Sequence, residues 1–526
     1  MLLLLPGAAP QPARRREADA LPGLRLIRAR RPSGRTLLRL LAALVSGALL
    51  ALAFPPVDLG PLAFVALVPL LWAWRDASPW AAARDGFVFA LSFLAILMAG
   101  LTHTGYTGTV TLILAAACYY AATGALTAVF ARHGLRNPFL TGAIWVFFEA
   151  LRDRWPLGGL AWGELGITLH NLEFARALAS IGGVYLLSLL VVAVNGLLVD
   201  AAVAASARRP RALTIAAGGL VALVVLAGVA EVARYQPRPT GPLRFALLQG
   251  DTVPGSTETA SVSSTITDEH FALAAQLRGR YDLIVFPESA LDADPEEDPP
   301  LRERIVALAQ AHDAVVLVNA RYLGATGRLY NANLAYGPDG RLLAVYAKQH
   351  LVPFGEYVPF RSELSFISDL RQIPYDFTAG DHRVLLPVGG RPIGSVICYE
   401  SAYAPLVRGF VRDGAQAIVV STSDRSYGRS GIPATHVATG QLRAAETGRP
   451  VLQAAISGET AVIDASGRVL QHTGLFTKAI VTGTVTTTTG ETPYVRFGEW
   501  VLAGSVLTLL LGAGYVAVRE LRRARP

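Results

Sequence analysis

Cysteine is almost absent from this chain of 526 residues, which contains only Cys118 and Cys398. This scarcity excludes a disulfide framework and a cysteine-rich zinc site. No glycine-rich phosphate loop opens a helix, no group of cysteines and histidines has metal-ligand spacing, and no internal repeat is present. The sequence therefore indicates neither a metal nor an organic cofactor.

Charged residues are scarce as well, at 16% of the chain, whereas hydrophobic residues reach 52%. This composition excludes an ordinary soluble enzyme and is typical of a membrane part joined to a globular domain. About 20 apolar residues are needed to cross the hydrocarbon of a bilayer, and eight runs approach or reach that length. They are 37–54, 60–74, 86–103, 108–131, 138–151, 177–203, 212–233 and 499–518. The second and fifth runs are short, which fits re-entrant or tilted segments.

Arginine is concentrated at the two ends of the chain. The first 39 residues hold nine arginines against two acidic residues, and the last eight hold four against one, so the rest of the chain is slightly acidic. Arginines also occupy the second, fourth and sixth connections between the runs, whereas the first and third have no basic residue. Because Lys and Arg accumulate on the cytoplasmic side, we predict that both termini are cytoplasmic. The basic charge is a topology signal, and we expect no binding to nucleic acid.

The pattern divides the chain into five parts. They are a disordered basic cytoplasmic tail (1–35), a membrane domain of about seven spans (36–234), an extracytoplasmic domain (243–495), a final transmembrane helix (498–518) and a second basic cytoplasmic tail (519–526). In the extracytoplasmic domain, short runs rich in Val, Ile and Leu alternate with helical stretches near 266–279, 301–312 and 434–447. Such runs predict strands covered on both faces, and the alternation predicts a layered α/β domain.

Three reactive residues follow or end predicted strands of this domain. Glu288 comes after the run 283–286, Lys348 comes after 342–346, and Cys398 ends 394–398. Each alone has a structural explanation, as a helix-end carboxylate, a solvated amine and a small buried side chain respectively. Together they can do chemistry, because a carboxylate can act as a base, an ammonium can stabilise an oxyanion, and a thiolate is a nucleophile. We therefore predict an active site at these strand ends.

The motifs around these residues resemble the nitrilase superfamily. They are Pro287-Glu288-Ser289, the string KQHLVPFGEYVPF from Lys348 to Phe360, and Ile397-Cys398-Tyr399-Glu400. The Lys348 string is similar to that of the membrane-bound branch, the apolipoprotein N-acyltransferases, and the similarity extends over nearly the whole chain. The resemblance implies a multi-span α-helical membrane domain with an α/β nitrilase-like αββα sandwich. It also implies a catalytic triad of Glu288, Lys348 and Cys398, with Asn331, Glu356, Tyr399, Glu400 and Asp424 as substrate-binding or supporting residues.

Two departures from the family pattern concern tryptophan. The segment Ser423-Asp-Arg-Ser-Tyr-Gly428 keeps the Asp and Gly of the family's Asn-Asp-Ala-Trp-Phe-Gly but lacks its Trp. The turn Gln249-Gly-Asp251 is likewise followed by a stretch rich in Thr and Ser that has no Trp. These losses affect the expected lid contacts with the lipid or the acceptor and leave the triad unchanged.

Several charged residues lie outside the triad. Glu149 and Arg152 stand three residues apart near the predicted outer end of the fifth span, as membrane-interface candidates. They could contact a headgroup or the extracytoplasmic domain, or simply pair with each other. His436, Arg443 and Glu446 in the 434–447 helix are interpreted as structural.

The resemblance implies an integral protein of the bacterial inner membrane, which we expect to be a monomer. It implies transfer of an acyl chain from phospholipid to the α-amino group of the lipidated N-terminal cysteine of diacylglyceryl-modified apolipoproteins, through a thioester on Cys398. Two alternatives stay open: a membrane-tethered amidase with the same triad, and a non-enzymatic transporter or scaffold whose nitrilase-like domain only recognises a lipid or a partner. The eight predicted spans argue against the amidase, and the intact triad argues against the scaffold.

Overall fold

The structure, a computed structural model, describes residues 33–251, 260–364, 366, 370 and 373–524. Most of the predicted tail 1–35 and the last two residues of the second tail lie outside this part. The membrane helices are α1 (Gly34–Leu52), α2 (Ala63–Ala66), α3 (Val68–Trp74), α4 (Pro79–Leu97), α5 (Tyr106–Arg132), α6 (Pro138–Arg152), α7 (Glu173–Ser206) and α8 (Pro210–Val232). The other helices are α9 (Ala260–Ala274), α10 (Pro299–His312), α11 (Ala404–Arg412), α12 (Ile432–Thr447), α13 (Pro493–Phe497) and α14 (Trp500–Arg523).

Six helices in the described part are long and apolar enough to cross a membrane: α1, α4, α5, α7, α8 and α14. The other two predicted spans are shorter, since residues 60–74 form a 3-10 turn followed by α2 and α3, and α6 has 15 residues. The helix is interrupted at Leu67, between α2 and α3. The N–H of Leu67 donates to Asn195 Oδ1 at 2.9 Å, and the N–H of Leu70 donates to Ser46 Oγ at 3.0 Å. The number of spans therefore stays a prediction.

Ion pairs join matching ends of the membrane helices. Arg39, early in α1, pairs with Asp85, early in α4, at 2.6 Å. Arg75, just after α3, pairs with Asp200, late in α7, at 2.5 Å. The first pair joins the starts of two helices and the second joins the ends of two others, as expected when consecutive helices alternate in direction.

Between α8 and α14 the chain forms twelve described strands. They are β1 (Arg238–Gln249), β2 (Leu283–Val285), β3 (Val315–Leu323), β4 (Leu329–Tyr336), β5 (Leu342–Ala347), β6 (Leu386–Val388), β7 (Arg391–Ile397), β8 (Ile418–Thr422), β9 (Val451–Ala455), β10 (Ala461–Ile463), β11 (Val469–His472) and β12 (Ala479–Thr489). The first sheet has the order β12-β1-β2-β3-β4-β5, and the second has β11-β10-β9-β8-β7-β6. In each sheet three neighbouring strands run parallel: β1, β2 and β3 in the first, and β7, β8 and β9 in the second.

The two sheets pack face to face around a shared apolar core. Leu247 and Val285 of the first sheet meet Val419 and Leu452 of the second. Helices α9 and α10 contribute to a second core on the outer face of the first sheet, and α11 and α12 contribute to a third on the outer face of the second. This four-layer arrangement confirms the predicted αββα sandwich.

The sandwich is docked on α7, which is broken at Gly183 (φ 69°, ψ −171°). Glu446 of α12 accepts a hydrogen bond from the N–H of Val184 at 2.8 Å. On the other side of the break, Trp500 of α14 donates from Nε1 to the carbonyl of Ile181 at 2.9 Å. Backbone groups freed by the break are therefore satisfied by other elements, which fixes the sandwich against the membrane helices.

Candidate active site

Glu288, Lys348 and Cys398 lie at the carboxyl ends of strands from both sheets. Glu288 stands just beyond β2 and Lys348 directly follows β5, both in the first sheet, whereas Cys398 directly follows β7 in the second. All three side chains are buried. The charges of Glu288 and Lys348 act directly on the Cys398 thiol, so the structure brings the three predicted residues together.

The Lys348 ammonium lies between two carboxylates. Its Nζ is 3.2 Å from Glu288 Oε1 and 3.0 Å from Glu356 Oε1. Asn331 of β4 donates from Nδ2 to the same two oxygens, at 2.9 and 2.7 Å. Burial disfavours the charged form of Lys348, but Glu288 and Glu356 outweigh it and hold the pKa of the ammonium well above its usual range. The two carboxylates therefore favour the positively charged form of Lys348 in the site.

A network of asparagine side chains fixes the orientation of Asn331. The sequence did not predict this network. Asn319 of β3 donates from Nδ2 to Asn331 Oδ1 at 2.9 Å and to Asn333 Oδ1 at 3.0 Å, and it accepts the N–H of Ser289 at 2.9 Å. Asn333 donates in turn to Ser395 Oγ of β7 at 2.7 Å, which joins the two sheets. Because the oxygen of Asn331 is engaged by Asn319, its amide nitrogen must face the carboxylates.

Cys398 stands on a tight turn at the start of a 3-10 helix that ends at Ala402. Its φ of +53° lies in the left-handed region, which residues other than glycine rarely adopt. The buried carboxylate of Glu400 holds this turn, since it accepts the N–H of Ile397 at 2.9 Å and the N–H of Gln349 at 2.7 Å. One side chain thus ties the turn at β7 to the segment after β5. Burial raises the pKa of Glu400 to about 7, against the opposing effect of these hydrogen bonds.

Cys398 rests as a neutral thiol. Burial raises the pKa of the thiol well above its ordinary value, the Glu288 carboxylate raises it further, and Lys348 lowers it. For this sulfur to act as a nucleophile, a base would have to take its proton. Glu288 is the carboxylate whose charge acts most strongly on this thiol.

Asp424 lies beside Cys398 together with a histidine. His436 Nδ1 is 2.7 Å from Asp424 Oδ1. One potential metal-ligand atom from each of Cys398, Asp424 and His436 lies within 4.8 Å of the other two. The sequence did not predict this cluster, because its members belong to three separate elements: the turns after β7 and β8, and α12. Thiol, carboxylate and imidazole are zinc ligands, but here two of them are bonded to each other and the third is the candidate nucleophile. We therefore assign no metal to the cluster.

A loop of the membrane part, residues 153–172, covers the turn that carries Cys398. The hydroxyl of Tyr399 accepts the N–H of Ala161 at 2.6 Å, and the ring of Trp162 lies 5.2 Å from that of Tyr399 and 6.0 Å from that of Tyr427. Trp162 thus places an indole next to the 423–428 segment, which lacks the family's tryptophan. The second stretch without tryptophan, 252–259, lies outside the described residues.

Glu149 and Arg152 are both buried, at 4% and 1% exposure. Arg152 pairs with its neighbour Asp153 at 3.0 Å and donates to Tyr120 at 2.6 Å, whereas Glu149 accepts the N–H of Leu165 at 2.8 Å. The two residues thus bind different partners and brace the loop that covers the site.

The predicted helix 434–447, observed as α12, contains residues in two different environments. Arg443 and Glu446 form a buried ion pair at 2.8 Å and hold the break in α7, in agreement with a structural role. His436, which we interpreted in the same way, lies instead beside the candidate nucleophile.

Comparisons with known proteins agree with this architecture. A family model described as the apolipoprotein N-acyltransferase N-terminal domain matches residues 46–197, and a carbon-nitrogen hydrolase model matches residues 245–494. The apolipoprotein N-acyltransferase of Methylococcus capsulatus is 33% identical over 506 residues, which cover 92% of this chain and 96% of that protein. That of Geobacter metallireducens is 31% identical over 508 residues, covering 92% and 95%.

Among solved structures, a CN-hydrolase superfamily protein from Xanthomonas campestris is 20% identical, with a TM-score of 0.37. The match covers 51% of this chain and 97% of that protein. On the two family models and the full-length relatives, the chain belongs to the apolipoprotein N-acyltransferase family.

Proposed function

We propose that this acyltransferase moves an acyl chain from a phospholipid to the α-amino group of the lipidated N-terminal cysteine of apolipoproteins, through a thioester on Cys398. One observation carries the mechanism: the buried ammonium of Lys348 lies within 3.2 Å of Glu288 and 3.0 Å of Glu356, and its charge acts on the buried thiol of Cys398. This arrangement supplies a base, an electrophilic stabiliser and a nucleophile in one buried site.

In the first half-reaction Glu288 takes the proton of Cys398 as the sulfur attacks an sn-1 ester carbonyl. The high pKa of the thiol makes this base necessary. Lys348 and the backbone N–H near Tyr399 stabilise the oxyanion. The C–S bond forms, the C–O bond breaks, and the proton on Glu288 passes to the oxygen of the departing lysophospholipid.

In the second half-reaction the α-amine of the apolipoprotein attacks the thioester. The C–N bond forms, the C–S bond breaks, and the proton released by nitrogen goes to Glu356 or Glu288 and then to the leaving sulfur, which restores the thiol. Glu356 suits the acceptor step because it belongs to the loop after Lys348, and its second oxygen is held by the N–H of Val352 at 2.8 Å. Asn331 orients both carboxylates during the cycle.

The membrane domain presents the site to substrates that are themselves lipids. In this proposal residues 36–234 and 498–518 span the bacterial inner membrane, residues 243–495 lie on the extracytoplasmic side, and both termini are cytoplasmic. The arginine pattern supports this topology. The contacts agree with it, because the ion pair of Arg39 and Asp85 joins helix starts, whereas the sandwich contacts the loop after α6 through Ala161 and Tyr399.

A two-substrate transfer assay tests the proposal. Purified protein in lipid nanodiscs is incubated with phospholipid labelled in the sn-1 chain and with a diacylglyceryl-cysteine peptide. We expect labelled amide on the peptide and one lysophospholipid for each amide formed, and no product from the same peptide with a blocked amine. Labelled free fatty acid without amide would support a hydrolase instead, and the absence of both products would support a non-enzymatic scaffold.

A further inference from the structure

An arginine beside the candidate active site has no place in the mechanism above. Arg321 lies near the end of β3, and its side chain is exposed. In the sheet it stands directly opposite Asn331 of β4, whose amide bonds to Glu288 and Glu356. Directly opposite residues of an antiparallel pair point to the same face, with Cβ atoms about 5 Å apart. Arg321 is therefore a close neighbour of the two carboxylates of the site.

The face that carries Arg321 is the one directed at the second sheet. Asn319, two residues earlier in β3, donates to Asn333 at 3.0 Å. Asn333 donates in turn to Ser395 of β7, in the second sheet, at 2.7 Å. Because alternate residues of a strand share a face, Arg321 lies on the same side as the buried Asn319 but is exposed. The guanidinium thus stands at the open end of the space between the sheets.

The guanidinium of Arg321 bridges two segments that border the site. Its Nη1 donates to the hydroxyl of Tyr375 at 2.6 Å, and its Nη2 donates to the carbonyl of Asp292 at 3.0 Å. Asp292 lies in the segment after Glu288, and Tyr375 lies in a segment whose backbone bonds to the carbonyl of Glu356. The guanidinium is thus held in place above both carboxylates.

The positive charge of Arg321 is not neutralised by these partners, since a hydroxyl and a carbonyl are both neutral. Among the residues that the structure describes, no carboxylate forms an ion pair with it. The neighbouring carboxylates are engaged elsewhere: Asp376 pairs with Arg361, and Asp292 Oδ1 accepts from Thr267 at 3.0 Å. A guanidinium has several N–H donors and keeps its charge in proteins. The donors not used by these two bonds are therefore available to an anion.

The phospholipid donor of the proposed function brings such an anion to this place. Its phosphate is joined to the sn-1 ester through the carbons of one glycerol, so the phosphate must lie close to the site when the ester carbonyl is at Cys398. The membrane loop contacts the turn of Cys398 through Tyr399, on the second sheet, whereas Arg321 belongs to the first sheet. Acyl chains on the side of the loop would direct the headgroup toward Arg321. A guanidinium matches phosphate oxygens with two parallel N–H bonds.

We propose that Arg321, held by Tyr375 and the carbonyl of Asp292, binds the phosphodiester of the phospholipid donor and so places its sn-1 ester at Cys398. The proposal rests on the proposed function and names the part of the donor that is recognised. Arg321 forms no covalent bond and moves no proton, so the balance of each half-reaction is unchanged. Because the phosphate leaves with the lysophospholipid, the contribution of Arg321 is confined to the first half-reaction.

Two donors with identical acyl chains isolate the phosphate. They are a short-chain phosphatidylglycerol and the corresponding diacylglycerol, which has the same sn-1 ester but no phosphate. Full-length protein in detergent is first treated with hydroxylamine, which removes any acyl group already on Cys398, and is then exchanged into fresh buffer. Thioester on Cys398 is followed by mass spectrometry at increasing donor concentration. We expect the wild type to react about 10- to 100-fold more efficiently with phosphatidylglycerol, because hydrogen bonds to a charged group are strong.

Three variants of arginine test the assignment. Arg321→Gln keeps an amide donor without the charge, and we expect it to lower the efficiency with phosphatidylglycerol about 10- to 100-fold, mainly through KM. The reaction with diacylglycerol should be unchanged. Arg321→Lys keeps the charge without the planar fork and should lie between the two. Arg328→Gln is the matched control, since it removes the same charge from the exposed turn between β3 and β4, and it should behave like the wild type.

The same measurements can overturn the proposal. Equal losses with both donors in Arg321→Gln would show that the arginine only supports the surrounding segments. Unchanged efficiency with phosphatidylglycerol would show that it does not bind the phosphate. Resolution of the preformed thioester by an acceptor peptide should be unchanged in Arg321→Gln, and a slower resolution would assign Arg321 to the acceptor instead. If Arg321→Gln does not fold, Arg321→Lys decides by the same comparison of the two donors.

Binding without chemistry separates this proposal from the proposed function. In a Cys398→Ala background, calorimetric titration with phosphatidylglycerol should give an affinity about 10- to 100-fold weaker when Arg321→Gln is added, with no change for diacylglycerol. If the wild type forms no thioester but this difference in affinity is present, the proposed function fails and the role of Arg321 stands. If the wild type transfers normally and the affinity does not change, only the role of Arg321 is refuted.

Discussion

The hydroxyl of Tyr399 accepts a hydrogen bond from the backbone N–H of Ala161 at 2.6 Å. Tyr399 is the residue after Cys398, and Ala161 belongs to the loop between α6 and α7. This one bond therefore joins the membrane part to the turn that carries Cys398. The turn is therefore in contact with a loop that begins and ends in membrane helices.

Tyr399→Phe tests this connection. Removal of the hydroxyl leaves the buried N–H of Ala161 without its partner, which should cost about 1–3 kcal/mol in the free energy of unfolding and lower transfer about tenfold. Tyr403→Phe is the matched control, because its hydroxyl donates to the carbonyl of Gly158 at 3.1 Å in a more exposed place. We expect a smaller effect there, and equal losses in the two variants would argue against a special role for Tyr399. Denaturant unfolding and the transfer assay measure both quantities.

Glu288→Gln and Glu356→Gln should separate the half-reactions. Glu288→Gln removes the base that we propose activates the thiol, so we predict no acyl-thioester. Glu356→Gln should still form some thioester but resolve it slowly with the amine, since loss of a positioned base costs about 10²- to 10⁴-fold in rate. Both carboxylates contact Lys348 and Asn331 through one oxygen, so the two variants disturb the same partners. Equal thioester yields would show that the two roles are assigned wrongly.

Glu400 should make stability depend on pH. Burial raises its pKa from the ordinary 4.5 to about 7 in the folded state, so the folded protein holds this proton more tightly than the unfolded chain. The bound proton contributes ~3 kcal/mol to the free energy of unfolding below about pH 4.5. This contribution is lost as the pH rises through about 7. The difference in unfolding free energy between wild type and Glu400→Gln should therefore shrink over this interval. A constant difference across this interval would show that the pKa of Glu400 is ordinary.

The topology can be tested with reporter fusions. An alkaline phosphatase reporter inserted after Ser256 should be active, because the proposal puts residues 243–495 outside the cytoplasm, and a fusion at the C-terminus should be inactive. Ser256 lies outside the described residues, in a stretch rich in Thr and Ser where an insertion interrupts no described strand. An inactive fusion at Ser256 together with an active one at the C-terminus would invert the arrangement.

Much of the fold could be predicted from hydrophobic patterns. Runs of Val, Ile and Leu marked β2, β5 and β7, and helical stretches marked α9, α10 and α12. The strand β4 was missed because Asn331 and Asn333 are unfavourable in strands, although their amides form the network under the site. β12 was missed because its face is built largely from threonine rather than from aliphatic side chains.

The site was only partly predictable for a different reason. Glu288, Lys348 and Cys398 could be found because each ends a recognisable strand within a recognisable motif. Asn319 and Trp162 carry no such signal, since each acts through contacts with residues far away in the sequence. The role of Trp162 in particular depends on how a membrane loop packs on the sandwich, which no local pattern encodes.

The most direct test of the account is the chemical state of Cys398 during turnover. The protein is incubated with phospholipid in the absence of acceptor, digested, and the cysteine peptides are analysed by mass spectrometry. We predict that the Cys398 peptide gains the mass of one acyl chain, that hydroxylamine or an acceptor peptide removes it, that Cys398→Ser loses both thioester and transfer, and that Cys118→Ala keeps both. An acyl group on Cys118, or normal transfer by Cys398→Ser, would contradict the account.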